Sequence, residues 1–216
     1  MSKHSAGDPR APARHLSRPG GSDAQARSEV IGICVSTGGP QALTDVLRRL
    51  PGGYSIPILV VQHMTPGFLA GLVDWLNKEV ALPVRLAGDG DRLAPGVWFA
   101  PDGAHLKLER TRRLALDTGT TDGNHCPSGD VMLHSLARVA GAAAVAVVLT
   151  GMGRDGADGL VAVAAAGGRT IAQDEQSSIV YGMPRVAAES GAKMVLAPAA
   201  IGDQLAALDN VRAALP

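Results

Sequence analysis

Three short segments of this 216-residue chain carry side chains suited to breaking an ester or amide bond. The first is Cys34-Val35-Ser36-Thr37-Gly38-Gly39. A serine in a sharp strand-to-helix turn lifts its hydroxyl above the sheet, with neighbouring N–H groups facing the same space. On residues alone, the turn equally suits a plain tight connection or a glycine-rich phosphate cradle. Cys34 also stands where the G-x-S-x-G elbow has its first glycine. The second segment is Gln62-His63-Met64, a histidine at the tip of an apolar run. Beside the serine's turn it would take the hydroxyl proton and return it to a leaving alcohol; elsewhere it would simply be packed or solvated. The third is Gly151-Met152-Gly153-Arg154-Asp155-Gly156, an acid crowded by glycines. Asp155 there suits the cap of the next helix, and a carboxylate in that place would also orient the histidine and stabilise its imidazolium. Met152 and Gly153 are candidates to lend backbone N–H donors to an oxyanion. His105, His125 and His134 fall in a hairpin region, a loop and a helix, and His4 and His15 in the N-terminal segment, so none shares the placement of His63.

These segments matter only if the chain brings them together, and the periodicity says that it does. Short β-branched runs read as buried strands at Val30–Val35, Ile58–Val61, Val145–Thr150, Arg169–Ala172 and Met194–Leu196. Helical patterns alternate with them: Pro40 to Leu50, Phe68–Val80, Val131–Ala140, Gly156–Ala166, Pro184–Ser190 and Ile201–Ala213. Between Pro83 and Asp117, Gly, Asp and Pro punctuate the short pieces Val97–Ala100, His105–Glu109 and Leu114–Leu116, which predicts an antiparallel excursion of hairpins. The expected fold is therefore α/β: doubly wound, with a mostly parallel sheet and helices on both faces. Ligands of such sheets collect beyond the carboxyl ends of the strands, where Ser36, His63 and Asp155 all fall.

Composition narrows the class further. The chain is 46% hydrophobic and 19% charged, with formal net charge zero, so no basic stripe invites nucleic acid. Two cysteines are too few for a disulfide scaffold and fit a reducing cytoplasm. The longest apolar run, Ala142 to Leu149, is far shorter than the roughly 20 residues of a membrane helix. No Cys/His cluster has metal-ligand spacing, and no cofactor is called for. Residues 1–28 are rich in Pro, Gly, Ser, Ala and Arg, without the apolar stretch of a signal peptide, and are expected to be a disordered tail or linker ahead of a domain over 29–216. The sequence carries no signal for oligomeric state.

The chain from about Val30 to Gln204 resembles the catalytic domain of the chemotaxis protein-glutamate methylesterases. The resemblance lies in Ser36-Thr37-Gly38-Gly39-Pro40, Gln62-His63-Met64, Pro127-Ser128, Leu149 to Gly156, Ala172-Gln173-Asp174-Glu175 and Tyr181-Gly182-Met183-Pro184. It implies Ser36 as nucleophile, His63 as general base and acid, Asp155 orienting His63, and the N–H groups of Thr37 and Met152 as oxyanion donors. The implied reaction is hydrolysis of glutamate methyl esters on the cytoplasmic helices of chemoreceptors, with deamidation of certain receptor glutamines as the companion reaction. The implied setting is the cytoplasm, with no membrane insertion. Three residues depart from the family pattern: Cys34 stands where glycine is usual, Val35 where alanine is common, and Gly129 where valine is more usual. Gly129 is expected to loosen the start of its helix. Family members also commonly carry a phosphorylation-receiver domain, which 28 residues cannot form, so the chain as it stands is expected to work without a phosphoryl donor. The competing readings are a non-catalytic receptor-docking module of the same fold and a phosphate-binding domain using Ser36–Gly39.

Overall fold

A run of alternating buried side chains needs cover on both faces of its sheet. The computed structural model, which describes Met1 and residues 29–118 and 125–213, supplies that cover. Its strands are β1 (Val30–Val35), β2 (Ile58–Gln62), β3 (Val84–Leu86), β4 (Val97–Phe99), β5 (His105–Leu108), β6 (Leu114–Asp117), β7 (Ala144–Val148), β8 (Arg169–Gln173) and β9 (Met194–Leu196). Seven of them form one sheet in the order β3-β4-β2-β1-β7-β8-β9, parallel throughout. The helices are α1 (Gly39–Leu47), α2 (Leu69–Glu79), α3 (Gly129–Ala140), α4 (Ala157–Ala165), α5 (Met183–Glu189) and α6 (Pro198–Ala213).

The period of two along each strand divides the core. Ile31, Ile33 and Val35 of β1, with Ile58 and Val60 of β2 and Val145 and Val147 of β7, face α1, α2 and α6. Val30, Cys34, Leu59, Val61, Ala146 and Val148 face α3, α4, α5 and the β5–β6 hairpin. Burying each such Val, Ile or Leu side chain contributes about 1.5–3 kcal/mol, so the central strands are the best-anchored part of the molecule.

The expected fold class holds, with one correction. Only β5 and β6 leave the sheet as an antiparallel pair. β4 belongs to the main sheet, parallel to both β2 and β3. Its three residues are all buried, Val97 and Phe99 against one core and Trp98 against the other, which demands cover on both faces rather than an exposed hairpin. Pro198 opens α6 three residues earlier than the apolar pattern indicated, a position where its missing N–H costs nothing. The expected tail over residues 2–28 lies outside the described residues. Among those described, no helix is long and apolar enough to cross a membrane.

Candidate active site

β1 lies between β2 and β7, where the chain's path reverses from one half of the sheet to the other. That reversal opens a crevice at the carboxyl ends of the strands. Val35 pairs with Gln62 and Cys34 with Val148, so the residues just beyond these three strands sit level with one another. Ser36 follows β1, His63 follows β2, and the turn bearing Asp155 follows β7.

The turn at Ser36 is fixed through its main chain. Ser36 N–H donates to Thr150 O at 3.0 Å, and Gly39 N–H donates back to Ser36 O at 2.9 Å. Gly38 caps α1 in the left-handed region, φ 80°, which glycine adopts without strain. Thr150 Oγ1 donates to Thr37 O at 2.9 Å and accepts from Val180 N–H at 3.0 Å. The 174–182 loop thus braces the serine turn through the next strand end. Ser36, Thr37, Gln62, His63 and Phe68 line one open hollow of about 370 Å³. Within it, Ser36 Oγ and His63 share the lining without a hydrogen bond between them, a spacing that commonly tightens only when substrate is bound.

His63 is tethered by its N–H to Val35 O at 2.9 Å, and its side chain is 12% exposed. Its Nε2 lies 2.8 Å from Asp155 Oδ2, but the ring N–H is turned off the line to that oxygen, so the contact is an ion-pair approach without a linear hydrogen bond. His125, which the sequence set apart in a loop, stacks on His63 with ring centroids 4.4 Å apart and planes 18° from parallel. Position along the chain gave no sign of this. His105 and His134 stay out of the hollow: His105 Nδ1 accepts from Ser128 N–H at 3.1 Å, and His134 is exposed on α3.

Asp155 does not cap the helix that follows it. Gly156 holds the N-cap of α4 without a side-chain bond. The Asp155 carboxylate instead sits on the start of α3, where Gly129 N–H (2.6 Å) meets Oδ2, and Asp130 N–H (3.0 Å) and Ser128 Oγ–H (2.8 Å) meet Oδ1. A helix N-terminus favours an anion because its first N–H groups have no partner within the helix. Burial pushes the Asp155 carboxyl up, but the close approach of His63 and the bonds from Gly129, Asp130 and Ser128 outweigh it and hold the group well below the usual carboxylate range. The Pro127-Ser128 motif is therefore part of the site. Nor is the start of α3 loosened by Gly129: Ser128 caps it, its Oγ accepting from Val131 N–H at 3.4 Å.

Asp130 carries the opposite electrostatic consequence. Burial, offset in part by a 2.7 Å bond from Gly159 N–H and reinforced by Asp155 and Asp158, raises its carboxyl to about 6. Cys34 lies fully buried behind Asp155, and burial first, then the charges of Asp155 and Asp130, push its thiol far up. A thiol so held is a packing group and a poor nucleophile. The N–H groups of Thr37 and Met152 make no hydrogen bond among the described residues, and Thr37 is exposed at the rim of the hollow.

A parallel α/β domain that gathers a serine, an imidazole and a buried carboxylate at adjoining strand ends is the class these features define. The chain belongs to the CheB methylesterase family, whose model matches residues 31–205. It is 51% identical over 163 residues, 75% of this chain and 45% of the relative, to protein-glutamate methylesterase/protein-glutamine glutaminase 3 of Myxococcus xanthus. It is 45% identical over 170 residues, 78% and 51% of the two chains, to the protein-glutamate methylesterase FrzG of the same organism. The crystal structure of the Thermotoga maritima CheB methylesterase catalytic domain superposes with a TM-score of 0.80 at 37% identity, covering 84% of this chain and 98% of that one. The chain spans about half the length of the curated relatives it matches.

Proposed function

We propose that this chain is a serine hydrolase that removes methyl esters from glutamate side chains of chemoreceptors and deamidates receptor glutamines, with Ser36, His63 and Asp155 as its triad. The observation that carries the reading is the 2.8 Å approach of His63 Nε2 to a buried Asp155 carboxylate, beside Ser36 at the next strand end. Family membership supports the substrate class, since both Myxococcus relatives are named as protein-glutamate methylesterases.

In this reading Ser36 Oγ attacks the ester carbonyl while His63 takes its proton. The oxyanion is held by the N–H groups of Thr37 and Met152. Methanol leaves with the proton from His63, and water repeats the sequence on the acyl-enzyme. Asp155 remains a carboxylate throughout, because three hydrogen-bond donors and the nearby His63 ring favour its charged form, and it stabilises the imidazolium. In this reading the substrate segment is a cytoplasmic receptor helix, and the protein acts in the cytoplasm.

The test is methanol release from methylated receptor by the purified chain and by Ser36→Ala. Release by the wild type alone supports the reading. Binding of receptor without release by either would make this a docking module.

A further inference from the structure

Gln62 stands between the two residues that must meet, and neither the triad nor the oxyanion site uses it. Its side chain is buried, 4% exposed. Nε2 donates one hydrogen to the main-chain carbonyl of Ser36 at 3.0 Å and the other to that of His63 at 2.9 Å. Both amide donors are therefore spent, one on each residue. The orientation of the amide is fixed by this pairing, because the flipped group would set its oxygen against two carbonyl oxygens. Oε1 is left buried without a hydrogen-bond partner. It faces Gly39, where any Cβ would collide with it and would also come within 2.8 Å of Val35 Cγ2. A buried amide with an unused acceptor, against a position that only glycine can fill, is an arrangement that packing alone does not favour.

We propose that Gln62 is a positioning residue: its amide clamps the main chains of Ser36 and His63 to each other and so sets the separation of hydroxyl and imidazole. The proposal rests on the reading of Ser36 as nucleophile. Strand pairing brings β1 and β2 together only as far as Val35 and Gln62, plus the bond from His63 N–H to Val35 O. Beyond that point no ladder joins the strands, and the carboxamide acts as the last rung. Without it each turn would answer to its own loop. Misplacement of reacting groups by about 1 Å can cost on the order of 100-fold in rate.

The experiment measures the rate at which a fluorophosphonate modifies Ser36, across pH 6–9, in the full chain and in Gln62→Leu, Gln62→Met and Gly39→Ala, with thermal melting of each. Turnover of a soluble methyl ester is measured in parallel for its kcat and KM. Gln62→Leu keeps the volume and removes both donors; Gly39→Ala keeps Gln62 and displaces its amide. The expected result is modification slowed about 100-fold at every pH, with kcat falling and KM unchanged, in variants that melt at a lower temperature than the wild type but stay folded at the assay temperature. Gln62→Met, which is flexible enough to pack, carries the test if Gln62→Leu does not fold. Folded Gln62 variants that react like the wild type would overturn the clamp while leaving the triad standing. A wild type that is not modified, or a Ser36→Ala variant modified equally well, would overturn the nucleophile reading and the clamp with it.

Discussion

Cys34 Sγ fills the space that a side chain at position 129 would need: a Cβ built on Gly129 would lie 2.5 Å from it. Of the three departures from the family pattern, those at Cys34 and Gly129 are therefore one, with bulk moved from the helix start onto the strand beneath it. Gly129→Val alone should destabilise the protein by about 3 kcal/mol, the upper end of overpacking. Cys34→Gly alone should cost about 1–2 kcal/mol through the cavity it leaves. Their combination should recover most of the loss, with a coupling energy above about 1 kcal/mol in a urea-denaturation cycle. Strict additivity would show that the two positions do not share their space.

Much of the site was legible because its main residues announce themselves by place. Ser36 and His63 each stand one step past a β-branched run, and Asp155 lies in a glycine-crowded turn after another. What was not legible depends on approach between segments far apart in the chain. Nothing in the spacing says that His125 stacks on His63, or that Ser128, Gly129 and Asp130 cradle the Asp155 carboxylate. The pattern of Val97–Phe99 suits a hairpin excursion as well as a parallel strand, because three residues between turn signals look alike in either setting. Only their burial on both faces distinguishes them.

Ser36→Ala should abolish turnover while leaving the fold in place. The side chain is partly exposed, and the turn is held by main-chain bonds that alanine keeps. We expect a rate lower by about 10⁴-fold or more and a stability change within about 0.5 kcal/mol. Methanol release by a folded variant at the wild-type rate would remove Ser36 from the mechanism.

Asp155→Asn should damage both activity and stability. An amide has one acceptor atom, while Gly129 N–H and His63 both meet Oδ2. Turnover should fall on the order of 10⁴-fold if the triad behaves like the serine-protease example. The melting curve should show a loss of about 1–3 kcal/mol from a buried donor left unpaired. Asp158→Asn is the control, since Asp158 is exposed and bonded to Arg154. Damage from Asp158→Asn with none from Asp155→Asn would reassign the acid.

Asp130→Asn should change how stability depends on pH. With its carboxyl at about 6 in the fold against an ordinary value of 3.8, Asp130 holds its proton in the native state after losing it in the unfolded chain. The folded protein then binds more protons between these values, so this group's contribution to stability falls as pH rises through that window. Asp155, lowered instead, contributes stability above its unfolded pKa that is lost only as pH falls through its folded value. Asn keeps the acceptor for Gly159 N–H but sheds the charge. The variant should match the wild type near pH 4 and exceed it by about 1 kcal/mol above pH 6.5, a figure reduced for partial exposure. Equal stability at both pH values would contradict the buried-charge account.

His125 should matter through its ring and not its charge. The contact of His63 with Asp155 is not linear, so the imidazole's orientation depends on what lies against its face, and that is the His125 ring. Stacked aromatic pairs are worth about 0.5–1.5 kcal/mol, which as lost orientation corresponds to at most about tenfold in rate. We therefore expect His125→Ala to lower kcat several-fold with little change in KM, and His125→Phe, which keeps a flat ring without a titratable nitrogen, to restore most of it. Steady-state methanol release from methylated receptor separates the alternatives. If His125→Phe is as impaired as His125→Ala, the residue acts through its nitrogens and its part in the proton path must be revised. If neither variant differs from the wild type, the stack does not orient His63 at all.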